Sequence, residues 1–237
     1  MSNSGEFISL YNELDKYMRE ILNENESTPH SVLLKKMTEK SNIFRKNNKY
    51  LKSFANLRNA IVHNYSNDGY KIIAEPHDNI VEDYKRIVNE VMNPPKALNT
   101  IAIRNSQIYT TSLNKNALDV MRVMKERTFT HVPVIEDKKL IGIFSENTIF
   151  SYVVATKDFL SNKEFKISEF KSFIPIDMHE GEEFKFVPKD ILEVDVQKMF
   201  KDSLKNQIRL AVVFITESGK STEKILGMIT AWDVAGN

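Results

Sequence analysis

A glycine, a hydroxyl and a carboxylate stand at a regular spacing near the end of the chain, as Gly227, Thr230 and Asp233. A hydroxyl at the start of a helix, beside backbone N–H groups without a helical partner, suits a phosphate. A carboxylate one turn later can accept hydrogen bonds from both hydroxyls of a ribose. The spacing therefore predicts a nucleotide site in which Asp233 holds the ribose, although threonine and aspartate are also ordinary residues at helix starts.

An earlier stretch repeats this pattern with one change. Gly142 and Ser145 match the glycine and the hydroxyl, whereas Thr148 stands where the carboxylate belongs. A threonine hydroxyl carries no charge and accepts fewer hydrogen bonds than a carboxylate. We therefore expect Thr148 to hold a ribose poorly, so that the two related sites differ in ligand binding.

A second candidate site lies in the first half of the chain, where Arg58, Asn59 and His63 stand close together. Histidine transfers protons near neutral pH, and the arginine fork suits phosphoryl oxygens that carry charge in a transition state. At about 100° per residue on a predicted helix, Arg58 falls within an apolar arc, whereas Asn59 and His63 share another face. These residues predict either a catalytic site, assembled across a two-fold dimer, or a polar network that holds a dimer together.

The segment before Arg58 is strongly basic, although the whole chain has a formal charge of only +1. Its cations are Lys35, Lys36, Lys40, Arg45, Lys46, Lys49, Lys52 and Arg58. The same segment contains a single acidic residue, Glu39, and the aromatic residues Phe44, Tyr50 and Phe54 lie between the cations. Such a segment either follows the phosphate backbone of an RNA or forms a solvated helical face.

The elements that would position these residues differ between the two halves of the chain. Apolar residues at helical spacing predict amphipathic helices in the first half, with the third running from about Asn47 to His63. Residues 1–92 are thus predicted to form an all-helical bundle. Asn93-Pro94-Pro95 ends the last helix, because proline lacks a donor and restricts the preceding residue. We place the domain boundary after residue 96.

Short strands alternate with helices beyond this boundary, and the pattern occurs twice. The predicted strands cover residues 108–111, 131–135 and 140–144 in the first copy and 184–187, 210–216 and 225–229 in the second. Two copies of one β-α-β-β-α unit explain the pattern, one over residues 97–160 and one over 161–237. The predicted fold class is α+β, a helical bundle followed by this pair of units.

The repeat resembles the CBS family, named for cystathionine beta-synthase. In that family the last strand and helix carry glycine, then threonine or serine, then aspartate, at the spacing of Gly227, Thr230 and Asp233. The resemblance implies two units that pair into a disc with a nucleotide cleft on either side, although some members are purely structural. The implied ligand is an adenine nucleotide such as AMP, ADP or ATP, or a related nucleotide.

The CBS resemblance also implies contacts beyond the motif. Residues of the first strand of the second copy, around Phe184 and Phe186, would flank the base. By position, His131 and Arg209 would supply phosphate contacts. The alternatives for these two residues are a half-exposed strand histidine and a surface charge.

The stretch that contains Arg58, Asn59, His63 and Tyr65 resembles the motif of the HEPN superfamily. These small helical bundles include many prokaryotic RNA-cleaving toxins. Over about residues 6–92, the resemblance implies a metal-independent ribonuclease in which Arg58 and His63 act on the scissile phosphate. The resemblance also implies a dimer, because members of this superfamily usually have two chains that face each other.

Composition narrows the remaining classes of function. The 237 residues include no cysteine and five scattered histidines, so we expect no disulfide, no thiolate nucleophile and no structural metal. The sequence shows no long apolar span and no signal peptide, which makes the cytosol the expected compartment. The arginine in an apolar arc and the short final helix leave surface for a partner, so we expect a homodimer.

Two functions from different classes fit these features. One is a non-enzymatic regulatory protein whose CBS pair senses an adenine nucleotide and whose helical domain mediates dimerisation or contacts an effector. The other is a nucleotide-gated, metal-independent ribonuclease that uses Arg58 and His63 on RNA. They differ in whether Arg58 and His63 assemble into a solvent-open site.

Overall fold

The computed structural model describes residues 2–66, 69–157, 165–205 and 209–236, and the side chains of residues 63–71 lie outside the described part. The chain divides into two compact units, Met1–Pro95 and Lys96–Asn237. Among the described residues, none of the helices combines the length and the apolar character that crossing a bilayer requires.

Helices pack around an aromatic core in the first unit. They are α1 (Asn3–Leu22), α2 (His30–Lys40), α3 (Asn42–Ile61) and α4 (Asp78–Met92). The Ser2 side chain caps the start of α1 by accepting a hydrogen bond from the N–H of Gly5 at 3.2 Å. The ring centroid of Phe7 lies 6.0 Å from that of Phe54 and 4.6 Å from that of Tyr84. Rings from α1, α3 and α4 therefore share one core.

The structure corrects the end of the third helix. α3 ends at Ile61, and Val62–Ser66 form strand β1, which pairs antiparallel with β2 (Gly69–Ile72). The β-branched Val62 favours extended backbone, and the N–H of Ile73 donates to the carbonyl of Ile61 at 2.9 Å. The chain therefore turns into a hairpin. The predictions of an all-helical bundle and of His63 on α3 are wrong, so Asn59 and His63 do not share a helix face.

Two sheets and several helices make up the second unit. The strands are β3 (Ile103–Arg104), β4 (His131–Glu136), β5 (Lys139–Ser145), β6 (Glu182–Pro188), β7 (Arg209–Thr216) and β8 (Gly227–Thr230). One sheet has the order β3-β8-β7-β6, and the other pairs β4 with β5. The helices are α5 (Ala97–Thr100), α6 (Ala117–Arg127), α7 (Glu146–Thr156), α8 (Glu193–Lys205) and α9 (Ala231–Ala235).

The repeat is visible in the strand pairing. β4 and β5 pair antiparallel and lead into α7, and β7 and β8 pair antiparallel and lead into α9. In the second copy β6 runs parallel to β7, whereas in the first copy this contact is reduced to a bridge between Thr111 and Val134. The predicted α+β fold class, a helical region followed by repeated β-α units, is confirmed.

The repeated glycines allow a neighbouring segment to approach each copy closely. A Cβ on Gly142 would lie 2.2 Å from the carbonyl oxygen of Ile174, and a Cβ on Gly227 would lie 2.9 Å from Cδ1 of Leu98. The N–H of Ile143 donates to the carbonyl of Ile174 at 2.7 Å, which fixes that segment against β5. β3 lies against β8 in the corresponding place in the second copy.

Candidate functional site

Asp233 and Thr230 form the cap of α9. Oδ2 of Asp233 accepts hydrogen bonds from the backbone N–H and from the hydroxyl of Thr230, both at 2.7 Å. Because one carboxylate oxygen takes both bonds, Oδ1 can still accept hydrogen bonds from a ligand. The cap therefore fixes the position of the carboxylate without using all of its hydrogen-bonding capacity.

Ser145 and Thr148 form the corresponding cap of α7, but both are buried. The N–H of Thr148 donates to Oγ of Ser145 at 3.2 Å, and the N–H of Ser145 donates to Oγ1 of Thr148 at 3.1 Å. The Thr148 hydroxyl also donates to the carbonyl of Ile143 at 3.2 Å. Only 1% of Ser145 and 2% of Thr148 is exposed, so their polar groups are satisfied within the protein.

A cavity of about 570 Å³, which we call the Asp233 cavity, opens beside the α9 cap. Its volume falls in the range of roughly 300–1,000 Å³ that is typical of small-molecule sites. Its lining includes the apolar or aromatic side chains of Ile103, Ile108, Tyr109 and Met228. It also includes side chains with hydrogen-bonding or charged groups, those of Arg127, Thr128, Thr130 and His131. The cavity thus offers apolar surface, an arginine and a carboxylate.

The cap of α7 faces a much smaller space, the Thr148 cavity, of about 230 Å³. Phe173, Met178, His179 and Glu180, from the segment that lies over β5, line it together with Thr148. This volume is below the roughly 300 Å³ at which small-molecule sites begin. Beside the α7 cap, therefore, the chain itself occupies much of the space that remains open beside the α9 cap.

A third cavity, which we call the Leu204 cavity, has a volume of about 640 Å³. Phe200 and Leu204 of α8 line it, and so do the cations Lys201 and Arg209. Thr130, His131, Thr230 and Trp232 line both this cavity and the Asp233 cavity. The two larger cavities are therefore neighbours with a shared wall.

Glu182 lies buried between two histidines. Its Oε1 is 3.1 Å from Nε2 of His131, and its Oε2 is 3.4 Å from Nδ1 of His179. Burial raises the pKa of Glu182, but hydrogen bonds from the two histidines lower it more, so the pKa lies well below the ordinary 4.5. Nη1 of Arg209 adds positive charge 3.7 Å from Oε1. Glu182 is therefore ionised at neutral pH.

This arrangement limits what His131 can offer to a ligand. Nε2 of His131 faces Glu182, and Nδ1 lies 2.8 Å from the hydroxyl of Thr130. Both ring nitrogens thus have partners within the protein, and 7% of the residue is exposed. A phosphate would gain a hydrogen bond from His131 only by displacing one of these partners.

The structure brings some of the predicted site residues together. His131, Thr230 and Asp233 all line the Asp233 cavity. Gly227 is not among the described residues that line this cavity, and its lack of a side chain lets Leu98 and the backbone of Ile103 approach β8.

Other predicted site residues lie elsewhere. The ring centroid of Phe184 is 5.9 Å from that of His131 and 5.1 Å from that of His179, and Phe186 stacks on Phe214 at 5.4 Å. Arg209 lines the Leu204 cavity, with 65% of its side chain exposed. Phe184, Phe186, Arg209 and Ser145 are not among the described residues that line the Asp233 cavity.

Several lining residues were missed by sequence reasoning. Tyr109, Arg127 and Thr130 belong to the first copy, whereas Asp233 belongs to the second. The sequence predicts the partners of Asp233 mainly in its own copy, around Phe184 and Arg209. One signal was present in the sequence: Arg127 lies shortly before β4, much as Arg209 begins β7, so the first copy also offers a cation at the entry to its strand.

Arg58 lies in a partly buried polar cluster in the first unit. Its Cζ is 5.2 Å from the centroid of the Tyr11 ring, which in turn stacks on His30 with centroids 4.1 Å apart. Nδ1 of His30 lies 2.8 Å from Oδ1 of Asp15. Burial raises the pKa of Tyr11 to about 12 and lowers the pKa of His30. The cluster joins α1, α2 and α3.

The other two residues of the predicted catalytic set are Asn59 and His63. Asn59 is exposed, and its Oδ1 accepts a long hydrogen bond of 3.5 Å from Nη1 of Arg58. The backbone of His63 belongs to β1, and its side chain lies outside the described residues. In the part of the chain that the structure describes, no group of three or more His, Asp or Glu residues could hold a metal ion.

Comparison with known proteins identifies part of the second unit. Residues 100–155 match the CBS domain family, so the chain contains a CBS domain, and the second copy of the β-α unit follows it. No curated protein sequence matches the chain. A hemolysin-like protein containing a CBS domain, from Oenococcus oeni, is similar in structure at 16% identity and a TM-score of 0.40, covering 62% of this chain and 91% of its own. CBSX2, solved in complex with AMP, is similar at 12% identity and a TM-score of 0.41, covering 60% of this chain and 94% of its own.

Proposed function

We propose that residues 97–237 form a CBS pair, with its units at 97–160 and 161–237, that binds one adenine nucleotide in the Asp233 cavity and acts as a regulatory sensor. One observation carries this proposal. The carboxylate of Asp233, fixed by its cap, lines a cavity of about 570 Å³ whose other lining residues include apolar and aromatic side chains and the cation of Arg127. A nucleotide combines an apolar base, a ribose diol and anionic phosphates, so it complements all three features.

The lining residues suggest which part of the nucleotide each would hold. Oδ1 of Asp233 would accept hydrogen bonds from the ribose hydroxyls. Tyr109 and Met228 would lie against the faces of the base, and Arg127 and Thr130 would bind phosphate. Each of these contacts would bind the ligand. The cavity would therefore serve to recognise a nucleotide, and the signal would arise because the ligand binds one state of the protein more tightly than another.

Calorimetry and thermal unfolding of the purified protein with AMP, ADP, ATP and UMP test this proposal. A ligand that binds only the folded state raises the midpoint of unfolding as its concentration rises above Kd. We expect saturable binding of at least one adenine nucleotide with one site per chain, and weaker binding of UMP, whose base has a smaller stacking surface. Lack of binding by all four nucleotides would contradict the proposal.

The helical unit, residues 1–96, is proposed to mediate dimerisation or contact with an effector in the cytoplasm. The polar cluster at Arg58 supports a role in assembly, because a cation held over the Tyr11 ring and only partly buried is suited to an interface. Sedimentation at micromolar concentration is expected to show a homodimer that Arg58→Ala weakens. A monomer in the wild-type protein would remove this role.

A metal-independent ribonuclease is the second candidate function for the helical unit. One observation favours it: Arg58 lies in the last turn of the strongly basic helix α3 and is only partly buried beside Tyr11. If it is correct, the protein cuts single-stranded RNA in EDTA, with its rate changed by the nucleotide that binds the second unit. Arg58→Ala and His63→Ala should each abolish cleavage, because charge stabilisation and proton transfer would both be lost.

The basic segment provides a separate control for the ribonuclease. Lys46 already pairs with Glu90, whose Oε1 lies 2.9 Å away, whereas Lys49 and Lys52 are exposed. Replacing Lys49 and Lys52 by Gln should weaken RNA binding and flatten its salt dependence without changing the rate at saturating RNA. Folded wild-type protein that leaves RNA intact, both with and without nucleotide, would exclude the enzyme and leave the sensor.

A further inference from the structure

His179 is buried with both of its ring nitrogens facing acceptors. Its Nε2 lies 3.3 Å from the carbonyl oxygen of Ile174, and its Nδ1 lies 3.4 Å from Oε2 of Glu182. A carbonyl oxygen and an ionised carboxylate can only accept hydrogen bonds. A neutral imidazole carries a proton on one nitrogen, so it would turn a lone pair towards one of these two acceptors. Only the doubly protonated ring satisfies both contacts.

His131 faces the same carboxylate but does not depend on a second proton. Its Nε2 lies 3.1 Å from Oε1 of Glu182, and its Nδ1 lies 2.8 Å from the hydroxyl of Thr130. A hydroxyl can either donate or accept a hydrogen bond. His131 can therefore lose one proton and keep both contacts. Of the two histidines, His179 is the one whose contacts depend on its protonation.

The other groups around His179 leave it a permanent carboxylate partner. Burial raises the pKa of Glu182 and hydrogen bonds from the two histidines lower it more, so this carboxylate is ionised above the ordinary pKa of 4.5. Nη1 of Arg209 on β7 lies 3.7 Å from Oε1, the oxygen that faces the other histidine. From α7, the uncharged Asn147 is hydrogen-bonded to Glu182. Glu180, which is exposed, is the other charged residue among the described residues that line the same cavity.

His179 holds the segment 173–181, which lies over β5 and leads into β6. The carbonyl of Ile174 that faces Nε2 also accepts a hydrogen bond from the N–H of Ile143 on β5, at 2.7 Å. His179 connects this carbonyl to Glu182, the first residue of β6. Side chains of the same segment fill the space beside the α7 cap. A change at His179 therefore acts on the segment that closes this space.

We propose that His179 is a proton-operated latch. Its doubly protonated ring holds the segment 173–181 over the α7 cap, and loss of one proton breaks one of the two contacts and lets the segment open. Histidine changes its charge between about pH 5 and 8, so the latch is closed in mild acid and opens as the pH rises. Opening exposes the buried cap of Ser145 and Thr148. The inference goes beyond the proposed nucleotide site, because the latch needs no nucleotide.

Thiol labelling measures this opening, because the chain contains no cysteine and a single introduced one is the only reporter. Ile174→Cys places the thiol in the segment, at a residue that is 1% exposed. Val213→Cys places it in the buried core of the second copy, on β7. Each labelling rate is divided by that of the urea-unfolded protein at the same pH, which removes the effect of pH on the thiol. Local opening exposes the first reporter alone, whereas global unfolding exposes both.

The pH dependence of labelling gives the expected result. From about pH 5.5 to pH 8.5 the relative rate should rise about tenfold more in Ile174→Cys than in Val213→Cys, as the loss of one charged hydrogen bond provides. Adding His179→Gln to Ile174→Cys should give rapid labelling at both pH values, because glutamine has no proton to lose in this range. His77→Gln is the matched control, since His77 is an exposed histidine of the first unit, and it should preserve the response.

Two results would overturn the inference. Equal pH responses in Ile174→Cys and Val213→Cys would show that the whole unit unfolds and that the segment does not open by itself. A response that survives His179→Gln would show that another group carries the proton. If His179→Gln does not fold, His179→Asn takes its place in the same comparison. Because labelling is measured without nucleotide, either failure leaves the proposed nucleotide site to be judged by calorimetry.

Discussion

The cavities at Asp233 and Thr148 adjoin corresponding caps in two copies of one unit, yet their volumes are about 570 and 230 Å³. The cap hydrogen bonds are similar, and the neighbouring segments differ. Beside Asp233 the chain leaves space between β3, β4 and α9, whereas beside Thr148 the segment with Phe173 and His179 fills it. A repeated motif therefore fixes the local cap, and the segment packed on it decides whether a ligand has room.

The largest expected effect is a difference in ligand affinity between variants of the two caps. If the proposed nucleotide site is correct, Asp233→Ala should weaken binding of the adenine nucleotide roughly 10- to 100-fold, because it would remove the proposed charge-assisted hydrogen bonds to the ribose. Thr148→Ala should leave affinity unchanged while lowering stability by about 1 kcal/mol through loss of a cap. Calorimetry and urea unfolding measure the two effects. Equal losses of affinity would contradict the asymmetry.

The two motif glycines should differ in their effect on stability. In Gly142→Ala the new methyl group would meet the backbone of Ile174, which cannot move aside cheaply, so we expect a loss of about 1–3 kcal/mol. In Gly227→Ala it would meet the end of the Leu98 side chain, which can rotate, so the loss should be smaller. Thermal unfolding of both variants compares them directly. The reverse order would show that the segment over β5 is loosely held.

The buried carboxylate of Glu182, whose partner His179 lines the Thr148 cavity, should make stability depend on pH. The pKa of Glu182 in the folded protein lies well below the ordinary 4.5, so its contribution is present above pH 4.5 and is lost as the pH falls below that value. Glu182→Gln should destabilise the protein at pH 7 and reduce the loss of stability on acidification. Urea unfolding between pH 3 and pH 7 tests this, with the half-buried Glu183→Gln compared as a matched control. Identical profiles for wild type and Glu182→Gln would refute the assignment.

The smallest expected effect is that restoring the motif creates no second site. Thr148→Asp completes the pattern of glycine, hydroxyl and carboxylate in the first copy, but Phe173 and Met178 still occupy the space. Calorimetry of this variant should continue to give one nucleotide per chain, although the buried charge will lower stability. Two nucleotides per chain would show that motif chemistry, and not the filled space, had limited binding.

The sequence by itself was sufficient for the fold class, for a CBS domain and for the repeat of the β-α unit. Periodic apolar residues predicted helices before Asn93-Pro94-Pro95 and alternating strands and helices after it, because burial of one face imposes its period on the chain. The alternative considered for Thr230 and Asp233, that they are ordinary residues at a helix start, agrees with the cap of α9, since capping depends on residues close in sequence. The hairpin after Ile61 was missed, because its pairing competes with helix formation only once both strands are present.

Tertiary structure decided which residues share a cavity. Tyr109 and Arg127 reach Asp233 from the other copy of the repeat, and no local pattern records that pairing. The same is true of the segment at Ile174, whose close approach to Gly142 leaves little space at Thr148. Local hydrogen bonds and periodicity depend on neighbours a few residues away, whereas the shape and charge of a cavity depend on surfaces that only the folded chain brings together.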